Sequence, residues 1–202
     1  MERNKKVELL FRAENELNAA QAKLAELKAS TRFSEADRLW SEILTNLQRF
    51  YTRLQQASKD GAKTEAWFGR IKKKRSVDPL LLYLQQARHA DEHLELQVTE
   101  TVIDTLIYSK PYDPAVGMKS FEIPETSITI SLDEAKLVNV EPHTKVEVKG
   151  KFRLVPVTNR GVKYPVPAEH NGIIMDLFDP VNAGGHAIGY LRSTLEEATT
   201  FL

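Results

Sequence analysis

Leu39-Trp-Ser-Glu-Ile-Leu-Thr-Asn-Leu-Gln-Arg-Phe-Tyr-Thr-Arg-Leu54 decides how the first half of the chain is read. Leu39, Trp40, Ile43, Leu44, Leu47, Phe50, Tyr51 and Leu54 recur at steps of three and four, which puts them on one face of an α-helix. Ser34, followed three residues later by Asp37, gives a capping-box-like start with Asp in place of the usual Glu. Lys59-Asp60-Gly61 ends the helix after about Ser58.

Upstream, Leu10, Ala13, Leu17, Ala20, Leu24 and Leu27 alternate steps of three and four between about Glu2 and Ala29, and Val7 and Phe11 widen the stripe. This pattern predicts a long amphipathic helix with a seam for a helical partner. Only Ser30-Thr31-Arg32-Phe33 separates the two helices. Short loops join antiparallel neighbours, so a hairpin is expected, with Trp40, Leu47 and Leu54 facing Leu10, Leu17 and Leu24.

Downstream, a shorter helix over about Lys63 to Lys73 brings in Trp67, Phe68 and Ile71. Asp78-Pro79 then opens a fourth, with Asp as cap and Pro in the first turn, where its missing N–H costs nothing. Leu80, Tyr83, Leu84, Ala87, Asp91 and Leu94 share its core face. Leu82, Gln86, His89 and His93 share the opposite face, and Arg88 and Glu92 lie between the two, four residues apart. An amphipathic surface helix has little reason to put Leu82 beside two histidines, so this second face is expected to lie in a cleft or against a second copy of the chain.

Past His93 the pattern changes to strands. Gln97 to Tyr108, Met118 to Ile123, Ser127 to Ser131, Leu137 to Val140, Thr144 to Val148, Phe152 to Val157 and Gly172 to Met175 are the strand candidates. Asn159-Arg160-Gly161 reads as a hairpin turn leading into Val162–Val166, and Asn171-Gly172 as another turn. Asp179-Pro180 repeats the helix-start dipeptide before Ile188, Leu191, Leu195 and Ala198, although Gly184-Gly185 disfavours the first turn. The expected fold is α+β: an N-terminal antiparallel helical bundle over 1–97, a small, mostly antiparallel sheet within 98–180, and a C-terminal helix over 181–202 packing on one of them.

Composition narrows the setting. The chain has 202 residues and 42% hydrophobic content, ordinary for a globular protein. No cysteine is present, which excludes disulfides and thiolate metal sites. The charged N-terminus has no apolar signal core, and no apolar run reaches the roughly 20 residues of a membrane span. A cytoplasmic protein without a membrane partner is expected. Net charge is zero but uneven: residues 1–97 hold 18 Lys/Arg against 14 Asp/Glu (+4), and residues 98–202 hold 10 against 14 (−4).

Two features carry chemistry. Arg70, Lys72, Lys73, Lys74 and Arg75 place five cations in six residues. These are either a solvated helix end favoured by the dipole or a phosphate-binding patch, with Lys72 to Arg75 as its nucleic-acid contacts. Arg88 and His93 then form R-x4-H, with a polar residue, His89, directly after the arginine. This motif in an all-helical setting resembles the HEPN family, small helical domains of which many members are metal-independent ribonucleases acting as dimers. The resemblance covers about residues 1–95. It implies RNA as partner, a homodimer, and no cofactor. It also implies that Arg88 holds the scissile phosphate, that His93 serves as base or acid at the ribose 2′-OH, and that His89 orients the site. Guanidinium and imidazole suit those tasks by geometry and by titration near neutrality.

The same residues admit other readings. His89-Ala-Asp-Glu-His93 matches H-x-x-E-H, in which two histidines one turn apart hold zinc and the glutamate polarises water. Glu141, Glu196 or Glu197 would supply a third ligand by type alone. Arg88–Glu92 is otherwise an ordinary i,i+4 salt bridge in a structural or interaction protein. Asp91, a carboxylate on a core face, needs a donor from a neighbouring helix under every reading. His143, His170 and His186 read as incidental, and no Gly-rich phosphate loop, serine elbow or dinucleotide fingerprint is present.

Overall fold

The two-faced pattern of residues 33–58 becomes one helix, and the rest of the core is built on it. The computed structural model describes the backbone of residues 2–59, 61–94, 98–109 and 145–201, and side chains at 4–59, 61–92, 98–102 and 151–201. Helices α1 (Glu2–Ala29) and α2 (Phe33–Ser58) pack along each other, followed by α3 (Ala62–Val77) and α4 (Pro79–Leu94). Leu17, Leu24, Trp40, Leu47 and Leu54 are all buried in one core with Trp67, Leu80 and Tyr83. Strands β1 (Thr99–Ser109) and β2 (Lys145–Leu154) follow, then β3 (Val157–Asn159), β4 (Val162–Tyr164), β5 (Glu169–His170), β6 (Ile173–Ile174) and helix α5 (Pro180–Phe201). The chain is thus α+β, with an N-terminal helix bundle, small antiparallel sheets and a C-terminal helix.

Chain contacts divide the protein into two compact units, Met1–Glu100 with Phe152–Leu202, and Thr101–Lys151. In the first unit α5 packs against α1 and α2 and buries Ala183, Ala187, Ile188, Leu191 and Leu195. Asp179 starts it by accepting the Val181 N–H at 2.8 Å. Gly184 is the closest approach: a Cβ there would lie 2.8 Å from Leu24 Cδ1 and 3.4 Å from Trp40 Cζ3. Gly184, which weakens helix propensity, is therefore what lets α5 approach α1 and α2 this closely.

The strands form three two-stranded sheets among the described residues, β1-β2, β3-β4 and β5-β6, rather than one. The short pairs are each closed by a turn of left-handed residues, Arg160 (φ 51) and Gly161 (φ 77) between β3 and β4, and Asn171 (φ 53) and Gly172 (φ 77) between β5 and β6. Two positive-φ residues suit the twist of a tight hairpin. Strand expectations over Met118–Ile123, Ser127–Ser131 and Leu137–Val140 lie outside the described residues.

The capping box expected at Ser34 and Asp37 does not form. The helix begins at Phe33 with Arg32 as a cap that makes no side-chain bond. Asp37 instead accepts the Thr99 hydroxyl, and so ties α2 to the segment that follows α4. No helix among the described residues is long and apolar enough to cross a membrane.

Candidate functional site

Helix α4 is anchored at its start by Asp78, whose side chain is 1% exposed. Its Oδ1 accepts the Leu81 N–H at 3.1 Å, capping the helix, and the His170 Nδ1–H at 2.9 Å. Its Oδ2 accepts the Asn171 N–H at 2.8 Å, with Lys74 Nζ 3.7 Å away. Burial works against the charge of Asp78, but the Asn171 N–H, the His170 ring and the Leu81 N–H outweigh it and hold the carboxyl below its usual range. His170 Nε2 is met by the Asn171 amide at 2.9 Å, and the ring lies edge-on to Tyr190 at 5.7 Å. An Asp–His pair can orient an imidazole for proton transfer, but here both ring nitrogens are taken and His170 is buried. The pair joins the β5–β6 hairpin to α4.

The chemical motif lies further along α4. Arg88 Nη2 donates to Glu92 Oε1 at 2.7 Å, and Nη1 is 4.0 Å from Asp91 Oδ2. Asp91 accepts the Ser41 hydroxyl of α2 at 2.5 Å, a donor from a neighbouring helix. The Arg88 side chain is 13% exposed, and its Nε is buried without an acceptor. His89 is half-buried on the adjoining face. His93 belongs to the same helix, and its side chain lies outside the described residues.

The face expected to be covered meets the hairpins. Asn159 Nδ2 of β3 donates to Gln86 Oε1 at 2.7 Å. Leu82 and Tyr83 line a cleft of about 510 Å³ with Tyr164, Val166, Val77 and Ile174. Tyr83 also donates its hydroxyl to the Val155 carbonyl at 2.7 Å.

The basic run divides by helical phase. Arg70, Lys72 and Lys73 are exposed. Lys74 turns toward Asp78. Arg75 turns inward, its guanidinium 3.9 Å from the Tyr51 ring centre and its Nη2 donating to Gln48 Oε1 at 2.7 Å. Burial lowers the Arg75 pKa and raises that of Tyr51, the reciprocal effects of a low-dielectric setting on a cation and a phenol.

Among the described residues, no three His, Asp or Glu side chains gather as a metal would require. Glu196 and Glu197 are exposed on α5, and Glu141 lies outside the described residues. Sequence reasoning missed the role of His170. Its signal was a histidine directly before an Asn-Gly turn, but the partner is remote in sequence. It also missed the inward turn of Arg75, which follows Trp67 and Ile71 at four-residue steps on their buried face. Comparisons of the chain with family models, with curated proteins and with solved structures return no match.

Proposed function

We propose that the chain is a HEPN-like RNA-binding module that meets RNA through α4 and the exposed end of α3. The observation that carries this reading is the way Arg88 is held. Its side chain is only 13% exposed on α4, and its guanidinium faces Asp91, which is itself held from α2 by Ser41. An arginine that must present its planar fork to a phosphate benefits from that support. Arg70, Lys72 and Lys73 add exposed positive charge one helix earlier, suited to a phosphate backbone.

In the catalytic form of this reading, Arg88 grips the scissile phosphate and His93 exchanges a proton with the ribose 2′-OH while His89 orients it. A twofold dimer brings two such sets to one cleft. No metal takes part. A second reading, a non-enzymatic interaction protein, is favoured by the 2.7 Å Arg88–Glu92 contact, which is also the geometry of a common i,i+4 bridge. The test is RNA cleavage with chelator present, by the parent and by Arg88→Ala and His93→Ala. Loss of cleavage in both variants with folding intact supports the ribonuclease form. A parent that binds RNA but cleaves none leaves a binding module, and a parent that neither binds nor cleaves RNA leaves the second reading.

A further inference from the structure

We infer that Glu92 occupies the phosphate seat of Arg88, so that RNA must displace an internal carboxylate before α4 can grip it. The inference rests on the RNA reading above and adds a regulatory contact to that site.

A guanidinium offers two parallel N–H bonds along the edge shared by Nε and Nη2, and a phosphate or carboxylate with two oxygens can fill both. In this protein only half of that edge is satisfied. Glu92 Oε1 takes Nη2 at 2.7 Å, while Nε is buried with no acceptor. Asp91, 4.0 Å from Nη1, is beyond hydrogen-bond range of the other side and is committed to Ser41. The arginine is thus held by a carboxylate that matches its fork incompletely.

The occupant is also the part best able to leave. The Glu92 side chain is 47% exposed against 13% for Arg88. Its movement into water uncovers a guanidinium whose position is set by the helix around it, and a phosphodiester can then fill both Nε and Nη2. The bridge is open to water on its carboxylate side and so weakens with salt, and a phosphate that fills both Nε and Nη2 adds a hydrogen bond to the one that Glu92 makes at Nη2.

The test is the affinity of a labelled short single-stranded RNA, by fluorescence anisotropy at low salt, for the parent, Glu92→Gln, Glu92→Ala, Arg88→Gln and the Arg88→Gln/Glu92→Gln double variant. Thermal melts check that each is folded. Both Glu92 variants are expected to bind about three- to fivefold more tightly than the parent, and the gain should vanish when Arg88 is already Gln. The same gain in the Arg88→Gln background would reduce the effect to net charge and overturn the inference. Weakened binding in Arg88→Gln with no gain in either Glu92 variant would overturn the seat alone, leaving the RNA reading intact. RNA binding by none of the proteins would overturn both.

Discussion

The Asp78 carboxylate and the His170 ring lie 2.9 Å apart across 92 residues of sequence. The same carboxylate caps α4 and holds the backbone of Asn171, so one side chain joins the α3–α4 junction to the β5–β6 hairpin. Removing it leaves several buried donors without an acceptor. Asp78→Ala should therefore cost about 2–4 kcal/mol in urea unfolding. A loss within about 0.5 kcal/mol, the range of an ordinary surface change, would show that the hairpin is held by other contacts.

The depressed pKa of Asp78 gives this contribution a pH dependence. A carboxyl whose folded pKa lies below its unfolded value of about 3.9 stabilises the fold fully above that value. The contribution is lost as pH falls through the folded pKa. Stability measured from neutral pH downward should drop in this acid window, and Asp78→Asn should drop less steeply. Parallel curves for the two proteins would contradict the assignment.

Two glycines of α5 should respond in opposite directions. Gly189 has nothing within 4 Å of an added Cβ, so Gly189→Ala should stabilise by about 0.5–1 kcal/mol through helix propensity. At Gly184 the added carbon would press on Leu24 and Trp40, and Gly184→Ala should fall below the parent by about 1 kcal/mol. Melting temperatures settle the order, and a stabilising Gly184→Ala would mean the helices are not packed this closely.

The basic run should separate in the same way. Lys72→Ala with Lys73→Ala is expected to weaken RNA binding and flatten its salt dependence while leaving the fold intact. Arg75→Ala should instead unfold more easily, by about 1–3 kcal/mol, because it removes the contacts to Tyr51 and Gln48. Equal behaviour of the two variants in both assays would refute the division.

The helical half was legible because its faces are repeated many times over: eight apolar residues between Leu39 and Leu54 agree on one stripe, and no single exception can shift it. The path of α5 was harder to read, since Gly184 lowers local propensity for the sake of a contact with Leu24 and Trp40 that local sequence does not display. Lys72 and Arg75 look alike in a run of cations, and only the phase set by Trp67 and Ile71 tells outward from inward. Asp78 could be read as a helix cap, yet its second role depends on His170, and no local pattern joins residues so far apart. At the candidate site the spacing of Arg88 and Glu92 showed their bridge. The Ser41 bond to Asp91 was legible only as a need for some donor, because the packing of α2 on α4 chooses which one.

The most direct measurement of the central claim is the affinity of single-stranded RNA for the parent and for Arg88→Gln, with Lys163→Gln as a control that removes an exposed charge on β4. If α4 grips phosphate through Arg88, Arg88→Gln should bind about tenfold or more weakly, and Lys163→Gln should remain close to the parent. Equal affinities for all three proteins, or no binding by the parent at low salt, would contradict the account.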